Sequence, residues 1–152
     1  MGILAIINYK PQTLERFEVT TQGNPLPPVP VGAILPGKPF PNLGQKHIPE
    51  GERVIYNSNP PTSGSHYQVP AAWGIYSSKP PVDERLVHNL EHGGIIISYN
   101  SDLLKSEDLE KVKAQARELR AINPRLIIVP RASIDTAIAL TAWGYLQKAS
   151  RL

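Results

Sequence analysis

Residues 94–130 of this chain read GIIISYNSDLLKSEDLEKVKAQARELRAINPRLIIVP, and this stretch decides the fold. Short apolar runs at 94–100 and 125–130 are typical of buried β-strands, whereas residues 106–122 carry apolar side chains at helical spacing. A strand, a helix and a strand in this order predict a βαβ crossover, in which the two strands are parallel neighbours in one sheet.

The helix at 106–122 has the clearest pattern in the chain. Its apolar stripe includes Leu109, Val112 and Ala116, and acidic residues in its first turn suit the positive end of a helix dipole. We expect Ser106 to cap the first turn and Pro124 to follow the end of the helix.

A second helix of about three turns is predicted over residues 81–92. Proline opens it, Val82, Leu86 and Leu90 recur every four residues on its core side, and a pair of glycines ends it. A strand is the alternative interpretation. Its face would alternate leucine with histidine and would therefore have no clean apolar side.

Proline organises the first half of the chain. All but two of the sixteen prolines, Pro124 and Pro130, lie at or before Pro81, so long helices are excluded from this half. Residues 22–49 have the composition of an extended coil, but they are more apolar than a typical linker. We therefore expect residues 1–45 to form an apolar strand and a proline-rich arm that is wrapped on the domain.

Further strands are predicted at 14–20, at 53–57 and, as a single strand, at 135–149. Together the elements predict one α+β domain at residues 46–152, with a small mixed sheet that contains the βαβ crossover. A chain of 152 residues is long enough to bury such a core.

Composition excludes several classes of protein. The chain has no cysteine, which rules out disulfides, thiolate zinc sites and iron–sulfur clusters. The formal net charge of +3 is spread along the sequence without interleaved aromatic residues, so we expect no nucleic-acid binding. The apolar segment 3–7 is too short to span a membrane and lacks the features of a signal peptide.

Histidine gives the strongest functional signal. All four histidines lie between residues 47 and 92, and residues 88–92 read HNLEH. Two histidines four apart on a helix point to the same side, and imidazole is the commonest protein ligand for transition metals. A helical projection places His88 and His92 on a face away from the leucine stripe, so we expect the pair to face a groove or solvent.

This pattern predicts a site for one divalent transition-metal ion, copper or zinc. His66, which follows a turn rich in proline, serine and glycine, is the expected third ligand beside His88 and His92, and His47 is a fourth candidate. Glu91 is a candidate ligand, a candidate partner that orients an imidazole, or a plain surface charge. The alternative is that all these histidines are surface and turn residues that hold no metal.

Two other functions compete with metal binding alone. A metal-dependent hydrolase would use Glu91 as its general base, because His-x-x-Glu-His matches the inverted zinc-peptidase signature. Such enzymes need a distant carboxylate ligand and a much larger chain, so we favour a protein that is not an enzyme. A non-enzymatic assembly module would instead form homo-oligomers through the N-terminal segment, with the histidines in structural hydrogen bonds.

Three motifs resemble those of a known family. Residues 56–66 read YNSNPPTSGSH, residues 86–94 read LVHNLEHGG, and residues 142–144 read AWG. In residue identity and in order along the chain, these motifs resemble those of domain-of-unknown-function family 3105. The resemblance covers roughly residues 47–144. The resemblance carries no assigned activity. It implies that the two histidine motifs occur together, that native proteins of this kind often carry an N-terminal membrane anchor or signal, and that the domain is extracytoplasmic.

Overall fold

The computed structural model describes residues 36–150. Within these residues the chain forms seven strands and two helices. In chain order they are β1 (Lys38–Pro39), β2 (His47–Ile48), β3 (His66–Tyr67), α1 (Asp83–Glu91), β4 (Ile95–Tyr99), α2 (Ser106–Ile122), β5 (Leu126–Pro130), β6 (Ile138–Ala142) and β7 (Tyr145–Ala149).

Five of the strands form one mixed sheet in the order β1-β7-β6-β4-β5. Strands β4 and β5 are parallel neighbours and α2 lies between them in the chain, while the other pairs are antiparallel. Strands β2 and β3 form a separate parallel pair. The mixed α+β architecture that the sequence predicts is therefore confirmed.

The helices pack on opposite faces of the five-stranded sheet. Helix α2 contributes Val112 to a core that includes Ile97, whereas α1 contributes Leu90 to a second core that includes Ile96. Successive side chains of a strand point to opposite faces of the sheet, so Ile96 and Ile97 of β4 pack in different cores. Burial on both faces explains why β4 reads as a continuous apolar run. Each large aliphatic side chain buried in this way contributes about 1.5–3 kcal/mol to stability.

The predicted bounds of α2 are confirmed, but the predicted cap is wrong. The helix begins at Ser106, and the residue at the N-cap is Lys105, which makes no side-chain capping bond. The carbonyl of Lys105 accepts the first helical bond, from the N–H of Leu109, so Ser106 already belongs to the first turn. Pro124 follows the end of the helix, as expected.

Residues 135–149 form a hairpin and not the single strand that the sequence predicts. Strands β6 and β7 pair in antiparallel register, and the turn between them contains Gly144 with a φ of +75°. The N–H of Gly144 also donates to the carbonyl of Thr62 at 3.0 Å. This tie to a distant segment fixes the turn.

The strand predicted at 53–57 is also wrong. This segment is irregular, and the N–H of Val54 donates to the carboxylate of Glu84 at 3.1 Å. Glu84 lies on α1 with 2% of its surface exposed, and it also accepts a bond from Arg53 at 3.3 Å. The buried Glu84 carboxylate thus accepts the backbone N–H of Val54, which the carbonyl of a neighbouring strand would otherwise accept.

Part of the predicted N-terminal arm can be described. The apolar segment 3–7 and the strand predicted at 14–20 lie outside the described residues. Strand β1 pairs with β7, and the N–H of Phe40 donates to the carbonyl of Gly144 at 2.9 Å.

Among residues 36–150, no helix has both the length and the apolar composition needed to cross a membrane.

Candidate metal centre

Helix α1 is fixed to the coil before it by its own polar side chains. The amide of Asn89 is fully buried and forms two hydrogen bonds with Ala71: its Oδ1 accepts from the backbone N–H at 2.9 Å, and its Nδ2 donates to the carbonyl at 3.0 Å. Buried backbone groups are almost always paired, and here a side chain serves as the partner. The motif HNLEH therefore has a fixed position relative to the segment that contains His66.

A two-residue parallel pairing places two of the histidines side by side. His47 of β2 lies opposite His66 of β3, and the N–H of His66 donates to the carbonyl of Lys46 at 3.0 Å. The ring centroids of His47 and His66 are 4.9 Å apart. Residues 19 positions apart in sequence are thus brought to one point by backbone pairing.

The turn before His66 is held by Tyr56. The Tyr56 hydroxyl donates to the carbonyl of Ser65 at 2.9 Å, and burial raises the pKa of Tyr56 well above its ordinary value of 10.0. The hydroxyl therefore keeps the proton that it donates. Gly64 has a φ of +129°, and a Cβ there would lie 3.0 Å from the Tyr56 ring. The turn accordingly requires glycine at this position.

Four side chains from β2, β3 and α1 converge on one point. His47, His66, His88 and Glu91 each offer one ligand atom, and these atoms all lie within 4.8 Å of one another. His66 has 0% and His88 has 5% of its surface exposed, Glu91 is partly exposed, and His47 is exposed at the mouth. The centre is therefore buried on one side and open to solvent on the other.

Both buried imidazoles have the same nitrogen bound to a backbone carbonyl. Nδ1 of His66 lies 2.8 Å from the Gly64 carbonyl oxygen, and Nδ1 of His88 lies 2.7 Å from the Tyr67 carbonyl oxygen. A carbonyl oxygen can only accept, so each Nδ1 carries the hydrogen. In the neutral ring this leaves the lone pair on Nε2, which lies beside Glu91 in the case of His66 and beside His92 in the case of His88.

Glu91 lies in direct contact with one of these nitrogens. Its Oε2 is 3.0 Å from Nε2 of His66. Metal–ligand bonds of about 2.0–2.2 Å place neighbouring donor atoms roughly 3 Å apart, so this spacing suits adjacent ligands of one ion. Alternatively, a proton on Nε2 makes the pair a charge-assisted hydrogen bond.

His92 lies beside the group of four. Its Nε2 is 2.7 Å from Nε2 of His88, and the two rings are stacked with centroids 4.7 Å apart. Burial and the neighbouring His88 lower the pKa of His92 from its ordinary value. Since Nδ1 of His88 donates to Tyr67, the neutral His88 ring accepts at Nε2 and His92 donates.

The expectation that both motif histidines face a groove or solvent holds for only one of them. His92 is exposed, whereas His88 is buried, and Val82, expected on the core side, is 39% exposed. The helix begins at Asp83, and Val82 is only its N-cap. The strands β2 and β3 cover the His88 side of α1, which a projection of the helix alone does not show.

The structure brings together His66, His88, His47 and Glu91, all candidates from the sequence, with His92 next to them. The sequence did not predict the two backbone carbonyl groups that orient the buried rings, those of Gly64 and Tyr67. A glycine two residues before His66 was a usable signal for the first of them. No side-chain pattern marks the second.

One comparison with known proteins gives a result. The family described as "Protein of unknown function (DUF3105)" matches residues 47–152, a range that begins at the first histidine and includes all four. None of the curated proteins and none of the solved structures matches the chain.

Proposed function

This chain belongs to the DUF3105 family of proteins of unknown function, and we propose that it binds one divalent transition-metal ion, copper(II) or zinc. The ligands proposed are His47, His66, His88 and Glu91, whose donor atoms lie within 4.8 Å of one another. An ion would draw these atoms inward to the spacing of a single coordination sphere.

The observation that carries the proposal is the shared orientation of the two buried rings. Metal-binding histidines usually donate the nitrogen that does not bind the metal to a carbonyl or carboxylate, which fixes the tautomer and the ring plane. His66 and His88 both do so, through Gly64 and Tyr67. In both residues Nε2 is therefore the nitrogen that is not bound to the backbone, and both residues belong to the group whose ligand atoms lie within 4.8 Å of one another.

The ligand chemistry supports copper or zinc. Imidazole nitrogen suits zinc and copper(II), and one carboxylate adds a negative charge that offsets part of the charge of the ion. Four protein ligands in tetrahedral arrangement favour zinc in a closed site, and a flatter arrangement favours copper(II).

The contact of Glu91 favours metal binding over hydrolysis. A general base must stay free to take a proton from a water molecule. Glu91 instead has its Oε2 3.0 Å from Nε2 of His66, within the group of candidate ligands. We therefore propose that Glu91 is a ligand and that the domain is not a hydrolase.

The test is elemental analysis of protein prepared without a histidine tag, followed by calorimetric titration with Zn²⁺ and Cu²⁺. We expect one ion per chain and a loss of affinity on the order of 100-fold or more in His66→Ala and in His88→Ala. Lys111→Ala, which changes an exposed lysine on α2, across the sheet from α1, should bind normally. Absence of binding, or unchanged affinity in His88→Ala, would refute the proposal.

We also propose an extracytoplasmic location with membrane anchoring of the native protein. This rests on the family resemblance, and a cysteine-free site that uses only nitrogen and oxygen ligands is compatible with an oxidising compartment. Fractionation of cells that make the native protein tests it, and recovery in the cytoplasmic fraction would contradict it.

A further inference from the structure

We infer that His92 is an exchange ligand: it takes a divalent ion from solvent, passes it to His88, and holds no bond to the ion once the ion is seated. The inference rests on the proposed function and assigns a second role within the same site. It identifies the route by which the ion enters and leaves.

The histidines of the site differ in their exposure to solvent. His66 and His88 are almost fully buried, so a hydrated ion meets a more exposed side chain before it reaches their nitrogens. His92 is exposed, and its ring lies over that of His88. An ion that approaches along this side therefore meets His92 before it meets the buried ligands.

The Nε2 atoms of His88 and His92 are in contact. At 2.7 Å, they are as close as two donors in one coordination sphere, so an ion bound to His92 already lies within bonding reach of His88. For the ion to bind there, the exposed His92 ring releases its Nε2 proton to water and takes up a proton at Nδ1, so that the neutral imidazole offers its lone pair on Nε2. The ion can then move inward by exchanging one ligand at a time, without an uncoordinated intermediate.

His92 lies outside the group of four proposed ligands. The four donor atoms that lie within 4.8 Å of one another come from His47, His66, His88 and Glu91, and His92 is not among them. His66, His88 and Glu91 lie within β3 and α1, whereas His92 is the C-cap residue that follows α1, and its side chain is exposed. His92 is therefore suited to transient contact.

A substitution of His92 should leave the fold intact. The end of α1 is held by backbone bonds, from the N–H of His92 to His88 and from the N–H of Gly93 to Leu90, and neither requires the imidazole. Gly93 has a φ of +75°, which supplies the usual left-handed residue after a helix. Both His92→Ala and His92→Gln can therefore be compared with the unchanged protein.

The experiment measures three quantities with Zn²⁺ as the probe: the uptake rate by stopped flow, the release rate into excess chelator extrapolated to zero chelator, and the equilibrium Kd. A group that contacts the ion only in transit lowers the barrier in both directions. Its removal should slow uptake and release by the same factor, on the order of tenfold, and leave Kd within about threefold. His47→Ala provides the contrast, since loss of a resident ligand should raise Kd through faster release.

Each outcome decides the inference. Equal slowing in His92→Ala and His92→Gln with unchanged Kd supports it. A raised Kd with faster release would make His92 a resident ligand, and unchanged or faster uptake would make it a bystander or a barrier; all of these results overturn the inference. If the unchanged protein binds no Zn²⁺ or Cu²⁺ at all, the proposed function itself fails, which is a distinct result.

Discussion

Nε2 of His66 and Oε2 of Glu91 lie 3.0 Å apart, although the two residues are 25 positions apart in sequence. His66 is fully buried, while Glu91 is 24% exposed, so the carboxylate forms the boundary between the buried rings and solvent. Whether this carboxylate binds an ion or acts on a substrate is the central chemical question at the site.

Replacing Glu91 with glutamine should separate these roles. A carboxamide is a much weaker ligand for zinc and copper than a carboxylate, so Glu91→Gln should lower the affinity for Zn²⁺ on the order of 10- to 100-fold. Calorimetric titration of the purified variant measures this. Should Glu91→Gln keep its full metal content and affinity, Glu91 is not a ligand, and the general-base interpretation gains support.

Metal binding should stabilise the fold. An ion that binds only the native state at 100 times its Kd adds about 2.7 kcal/mol to the free energy of unfolding. Urea denaturation with Zn²⁺ and with excess chelator measures the difference. His88→Ala should show no such difference, because it lacks one of the two buried nitrogens. A shift of the same size in His88→Ala would mean that the ion stabilises the protein from another place.

The sequence predicted α2, β4 and β5 correctly, because each of them follows from the pattern of apolar residues within its own segment. The bounds of α2 follow from its apolar spacing, and β4 and β5 follow from apolar runs that are buried on both faces. The strand expected at 53–57 failed because Val54 donates to Glu84, which is 30 positions away. The hairpin at 135–149 was missed because the residues on either side of Gly144 continue the apolar alternation through the turn.

The site shows the same division between local and distant causes. The spacing of His88 and His92 on a helix was predictable, as was the rigid turn before His66. The close approach of His47 was not, because it depends on the parallel pairing of two short strands that no periodicity marks. The burial of His88 likewise depends on the strands that cover α1, and a helical projection contains no information about them.

Asn89 should matter for stability more than for chemistry. Asn89→Ala leaves the N–H and the carbonyl of buried Ala71 without their partners. Each unsatisfied buried group costs about 1–3 kcal/mol, so the loss of both bonds should lower the free energy of unfolding by about 2–6 kcal/mol. Urea denaturation measures it. Gln68→Ala, at an exposed side-chain amide, should change stability by less than about 0.5 kcal/mol, and equal losses in the two variants would contradict this assignment.

The glycine that follows α1 offers a sharper test of how the histidine motif is positioned. A Cβ at Gly94 would lie 2.6 Å from the backbone oxygen of Asn89 and 2.7 Å from the Trp73 ring. Backbone cannot yield as a flexible side chain can, so Gly94→Ala should lower the free energy of unfolding by about 1–3 kcal/mol. The last turn of α1 should shift with it, and Zn²⁺ affinity should fall because Glu91 lies in that turn.

Gly74→Ala is the matched control for this change. A Cβ at Gly74 would meet nothing within 4 Å, so the same substitution there should leave both stability and affinity nearly unchanged. Denaturation and calorimetric titration of the two alanine variants give the comparison. If Gly94→Ala matches Gly74→Ala in both measurements, then the contact between Trp73 and the end of α1 does not set the position of Glu91. The position of α1 at the site would in that case depend on the bonds of Asn89 and not on this contact.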